Sequence, residues 1–116
     1  MTIARMDYVE FSAPTTETLK RFYETAFGWR FTDYGSEYAG FSDGAKEGEA
    51  GGVTAATEPR PPLVVLYAED LEAARAGVLK AGGDILGADH DFPGGRRFHF
   101  RDPGGSELAV WTKAED

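Results

Sequence analysis

Cysteine is absent from all 116 residues, which removes disulfide staples, thiolate nucleophiles and cysteine-based zinc sites at the outset. Its absence also fits a reducing compartment. Histidine is scarce, with two in the chain, so imidazole chemistry must fall to His90 or His99. Positive charge is in deficit. Twelve Lys and Arg against 20 Asp and Glu give a formal net charge of −8, the reverse of the basic footprint that nucleic acid requires. An acidic balance favours cationic or neutral ligands, although it commonly serves solubility alone. No apolar run approaches the roughly 20 residues of a membrane span, and the N-terminus lacks the basic-then-apolar order of a secretion signal. A cytoplasmic protein without nucleic-acid or membrane partners is the expectation.

What is present is a core-forming composition, 41% hydrophobic and 13% aromatic, enough for one compact domain. Alternation over residues 3–13 reads as a strand with Ile3, Asp7, Val9 and Phe11 on one face and Met6, Tyr8, Glu10 and Ser12 on the other. Pro14 ends it. Thr15 or Thr16 can cap a helix whose Leu19, Phe22, Tyr23, Ala26 and Phe27 recur at helical spacing, a stripe to sit on Val9 and Phe11, and Gly28 stops it. Residues 29–34, 37–42 and 52–57 read as a three-strand meander, and the proline-rich run that follows is the best linker. Beyond it the plan repeats. Residues 63–68 form a strand, Asp70 caps a helix with Leu71, Ala74, Val78 and Ala81, and Gly82 and Gly83 stop it. A strand over 85–88 follows, with His90 between Asp89 and Asp91 in a solvated turn. Residues 96–111 then make two strands joined at Asp102-Pro103-Gly104-Gly105, with Asp102 serving its own turn. Phe98 and Phe100 share one face and Arg97, His99 and Arg101 the other, opposite Glu107, Ala109 and Trp111. Laying Gly83 over Gly28 also places Val64 on Val9, Leu66 on Phe11, Ala68 on Ala13 and Ala81 on Ala26. Each half is β-α-β-β-β, and the matched phase favours internal duplication over coincidence.

With Phe22-Tyr23, Phe27-Gly28-Trp29, Ala68-Glu69-Asp70-Leu71, Gly82-Gly83 and Arg101-Asp102-Pro103-Gly104-Gly105, the chain resembles the vicinal oxygen chelate superfamily of glyoxalase, bleomycin-resistance and dioxygenase-like proteins. The resemblance implies an α+β fold of two βαβββ modules side by side around a cleft, often within a homodimer. The domain over residues 1–116 would divide into module 1 (1–57), a linker (58–62) and module 2 (63–116). Metal enzymes of the family hold a divalent ion with His, Gln or Glu, and those places match Tyr8, Thr54, Leu63 and Ala109 here. None is a usual ligand, so no metal and no cofactor is expected.

Strand phase leaves a cleft of Tyr8, Glu10, Thr54, Leu63, Val65, Tyr67, Arg97, His99, Glu107, Ala109 and Trp111, the aromatic and ionisable make-up of a small-molecule site. His99 would exchange a proton or hydrogen-bond a ligand, or else be an exposed strand histidine with no role. Glu10 beside Tyr8 would neutralise a cation stacked on Tyr67 or Trp111, or pair with Arg97. The loop around Glu47 to Gly52 is a lid or an idle loop. Two functions follow. The first is metal-free binding of a small organic molecule, cationic or aromatic, as in the bleomycin-resistance branch. The second is a glyoxalase-like lyase or isomerase, or a hydroxylase-like enzyme, with His99 and Glu10 as acid and base. A peptide-binding interaction protein has no dedicated motif and ranks below both.

Overall fold

In the computed structural model, which describes residues 3–115, strand β1 (Arg5–Ala13) stops before Pro14 and helix α1 (Thr16–Phe27) starts just after Thr15. Met1, Thr2 and Asp116, the ends of the expected domain, lie outside the described residues. Proline lacks the N–H that a strand ladder uses, so the break falls there. α1 closes at Gly28, whose φ of 73° needs no Cβ and whose N–H donates to the Glu24 carbonyl. Strands β2 (Arg30–Asp33), β3 (Tyr38–Ser42) and β4 (Gly51–Ala55) follow as the expected antiparallel meander, and β4 then pairs parallel with β1.

The second half repeats the order with β5 (Leu63–Tyr67), α2 (Leu71–Lys80), β6 (Asp84–Phe92), β7 (Gly95–Arg101) and β8 (Glu107–Lys113). β5 is parallel to β8, while β8, β7 and β6 are antiparallel neighbours. The fold is therefore α+β, with two βαβββ modules, as the sequence implies. Asp70 caps α2 by accepting the Ala73 N–H at 3.0 Å. Asp102 serves its turn, Oδ1 accepting from the N–H groups of Gly104 (2.9 Å) and Ser106 (3.0 Å).

The chain divides into two compact units. The first is Tyr8–Leu63; the second joins the residues through Asp7 to those from Val64 onward. In the first unit Ala39, Phe41 and Val53 are buried, and Trp29 is stacked between Tyr23 (centroids 4.5 Å apart) and Phe41 (4.6 Å). Trp29 also meets Phe11 edge-on. The helical stripe is consequently narrower than expected. Leu19 and Tyr23 are partly covered, but Ala26 is exposed, as are Phe22 at 56% and Phe27 at 66%. Tyr23 of the stripe meets Phe11 as expected, and Trp29, returning from the Gly28 turn, packs on the same ring. In the second unit Ala68, Leu71, Ala74, Phe98 and Val110 form the core, with Ala4, Leu66, Val78, Ile85 and Phe100 packed against it.

Two further departures bear on function. β6 runs over nine residues, and His90 lies in it opposite Arg97 instead of in a turn; a register shift between Leu86 and His90, with Gly87 at a φ of 70°, disguises the strand. Asp7, expected on the phase of Val9 and Phe11, finds its partner outside the first unit. It belongs to the second unit, where its carboxylate accepts a hydrogen bond from Trp111.

Candidate functional site

Cross-strand register decides which side chains of the second unit share a face. Tyr67 lies opposite Trp111 and Trp111 opposite Arg97; in the next row Val65 lies opposite Ala109 and Ala109 opposite His99. Phe98 and Val110, of the other phase, go to the core beneath α2. The helix-distal face thus brings together Tyr67, Arg97, His99, Ala109 and Trp111, five of the residues singled out from sequence. Tyr67 meets Trp111 edge-on, with centroids 4.8 Å apart. The Trp111 indole Nε1–H donates to Asp7 Oδ2 at 2.7 Å, and the Arg5 guanidinium lies 4.5 Å from the centre of the Tyr67 ring. Phe92 adds a third ring, 6.0 Å from Trp111.

His99 is held by its neighbour on β8. Its Nδ1 lies 2.8 Å from Glu107 Oε2, with 13% of the imidazole side chain and 30% of the glutamate exposed. The other ring nitrogen, Nε2, is buried and has no hydrogen-bond partner among the described residues. Burial pushes the His99 pKa below the usual histidine value; the hydrogen bond that the ring donates to Glu107 opposes that shift, and the charges of Arg97 and His90 add to it. That shift favours the neutral ring at pH 7. A carboxylate can only accept, so the proton of the neutral ring sits on Nδ1 and Nε2 carries a free lone pair. The His90 ring, misread from sequence as turn chemistry, lies 5.5 Å from that of His99. Glu107 was legible as a residue of this face, yet its pairing with His99 was not. Arg5 gave no signal at all.

Tyr8, Glu10 and Thr54 lie in the first unit, with Thr54 opposite both Ser12 and Tyr38. The Tyr8 phenol hydrogen-bonds Tyr38, whose own pKa is driven far above the tyrosine value, chiefly by burial and then by Tyr8 and the charge of Glu10. Glu10 is therefore part of a phenol and carboxylate cluster, whereas the carboxylate on His99 comes from Glu107. The loop after β3 returns to this unit's sheet: the Tyr34 hydroxyl donates to Glu49 Oε2 at 2.8 Å, and the Glu49 carboxylate rests against Gly40. Gly52, opposite Gly40, carries the Tyr38 hydroxyl end in the same way. Either glycine given a Cβ would meet that neighbour. Leu63 begins β5 and is partly buried.

The four places that the resemblance matches to the family's metal ligands do not suit an ion here. Ala109 is fully buried with a methyl group, Leu63 offers no donor, and Tyr8 and Thr54 offer neutral hydroxyls in place of imidazole, thiolate or carboxylate. Among the described residues no group of three or more His, Cys, Asp or Glu stands together to hold a metal ion. No chemical step is derived through one.

Comparison with curated proteins gave no match. Among solved structures, the chain is similar to a Mn(II)-bound glyoxalase from Novosphingobium aromaticivorans, with 26% identity and a TM-score of 0.70 over 95% of this chain and 40% of that one. It is also similar to an extradiol ring-cleaving dioxygenase from B. fuscum, at 16% identity and a TM-score of 0.72 over 97% of this chain and 33% of that one. A methylmalonyl-CoA epimerase from Mycobacterium tuberculosis has 12% identity and a TM-score of 0.72 over 96% and 89%. The latter two likenesses concern the fold alone, and the chain spans less than half the length of the glyoxalase and the dioxygenase. With the twice-repeated βαβββ order and a sequence profile matching residues 5–110, the chain belongs to the Glyoxalase/Bleomycin resistance protein/Dioxygenase superfamily.

Proposed function

We propose that this member of the superfamily binds a small organic molecule without a metal ion, on the helix-distal face of the second unit. The observation that carries the reading is the aromatic pair there, Tyr67 and Trp111, beside an imidazole with one nitrogen unengaged. Large rings next to a few fixed polar groups are what a small-molecule site needs. Arg5 already covers Tyr67, so a cationic ligand would have to displace a cation of the chain itself. Of the two ligand characters expected, the aromatic one is therefore favoured over the cationic one.

The test is a fluorescence titration with neutral and cationic aromatic compounds, run in a Trp29→Phe background so that emission comes from Trp111. Saturable quenching below about 1 mM, lost in Tyr67→Ala, is the expected result. The absence of any saturable change would sink the reading. A homodimer in the cytoplasm, implied by the resemblance and by composition, belongs to the same proposal and is checked by sedimentation of the purified chain.

One observation favours a second reading, an acid-base enzyme. An imidazole oriented by a carboxylate at 2.8 Å is a common proton-handling pair, made here by His99 and Glu107. Unchanged turnover in His99→Ala, on any substrate found, would remove it.

A further inference from the structure

Nε2 of His99 can be read more closely than as a polar group near a ligand. If the ring carried its proton on Nε2, a bare Nδ1 would face the Glu107 carboxylate at 2.8 Å, lone pair against negative charge. The Nδ1–H form removes that repulsion and makes a charge-assisted hydrogen bond. Protonation of both nitrogens is opposed by burial and by the charges of Arg97 on β7 and His90 on β6; Glu107 on β8 acts the other way and does not prevail. From β5, the ring's own row presents Val65, and the next row Tyr67. A buried acceptor with nothing to accept is costly, and none of the described residues relieves it.

We propose that His99 is the specificity-determining acceptor of this face, fixed by Glu107 so that its Nε2 lone pair takes a hydrogen bond from an O–H or N–H of an aromatic ligand. The assignment rests on the binding reading above and adds the ligand's chemistry: a phenol or a ring N–H compound is taken, and its O- or N-methylated analogue is refused. A site built to pair a hydroxyl discriminates strongly against a ligand lacking it, because the buried partner is then left unpaired. Glu107 is a positioning residue. It touches the ring and not the ligand.

The experiment has two arms. In the first, two-bond nitrogen–proton correlation spectra of the 15N-labelled chain read the histidine tautomers near pH 7.5; with two histidines in the chain, His99→Phe assigns the signals. The expected result is Nδ1 protonated and Nε2 bare in the native chain, with that preference lost in Glu107→Gln. An Nε2–H tautomer or an imidazolium overturns the proposal. In the second arm, p-cresol and its methyl ether, 4-methylanisole, are titrated against Trp111 fluorescence. p-Cresol should bind about tenfold or more tightly and shift the Nε2 resonance, and its advantage should fade as the pH falls through the lowered His99 pKa. The advantage should also vanish in His99→Phe. Should that variant fail to fold, Glu107→Gln serves instead, losing the preference for p-cresol while still binding the ether.

Equal affinity for the two compounds in the native chain would mean that Nε2 is served by water or by the protein, and overturns the assignment while leaving binding at this face intact. No response to either compound overturns the binding reading itself, and the ligand assignment with it.

Discussion

His99 makes the stability of the chain depend on pH. Its pKa in the folded state is held below the usual value by burial, so between that lowered pKa and about 6.5 the unfolded chain binds the proton and the folded chain does not. The contribution is fully present above about pH 6.5 and is lost as pH falls through the folded value. Urea unfolding at about pH 7.5 and pH 5.5 should show a loss of stability on the acid side that is smaller in His99→Gln. Glu107→Gln should cost about 1–3 kcal/mol at neutral pH, the range for a hydrogen bond to a charged group. Glycines offer a second comparison at this scale. A Cβ on Gly51 would strike the Val9 carbonyl and the Phe41 ring, neither of which can move cheaply, whereas one on Gly40 would strike the end of the flexible Glu49 side chain. Gly51→Ala should therefore destabilise by about 3 kcal/mol or more, and Gly40→Ala by under about 1 kcal/mol, with loss of the Tyr34 to Glu49 hydrogen bond as the spectroscopic sign. The sequence shows two glycines near the start of β4; only the tertiary structure shows that Gly51 meets backbone where Gly40 meets a side-chain end.

The two helices separate capping residues that satisfy a backbone N–H from those that do not. Asp70 accepts the Ala73 N–H, while Thr15 makes no cap bond to the backbone and its hydroxyl instead pairs with Thr18 at 3.0 Å. Asp70→Ala should cost about 1 kcal/mol and Thr15→Ala less than half of that, measured by thermal unfolding. Both starts were legible from residue type, because a cap is a local interaction. β6 was legible for four residues only. Its last four residues, DHDF, are exposed and hold their place through pairing with β7 and through Asp89, which reaches Arg75 at 2.6 Å. A strand kept by its neighbour carries no apolar alternation of its own, so periodicity could not find it. The apolar stripe on α1 is narrower than its spacing implies for a related reason: Tyr23 meets Phe11 as expected, but Trp29, outside the helix, packs on Phe11 as well.

At the scale of the whole molecule, the N-terminal residues complete the second unit. Ala4 packs on the core beneath α2, Arg5 covers Tyr67, and Asp7 reaches Trp111 across a separation of 104 residues. Asp7→Ala should cost about 1 kcal/mol and shift Trp111 emission through loss of the indole N–H acceptor; an unchanged spectrum would count against this bond. The order of elements, the duplicated βαβββ plan, the stops at Gly28 and the Asp102 turn were all determined by the sequence itself, since each arises from alternation, spacing or turn chemistry within a few residues. So was the want of metal donors at Leu63 and Ala109, which is a matter of side-chain identity. The tertiary structure alone decided that Glu107 and not Glu10 holds His99, that His90 stands in a strand beside it, and that Asp7 turns to Trp111. Those are meetings of side chains on different strands, and their distances follow from register and packing that no single stretch of chain contains.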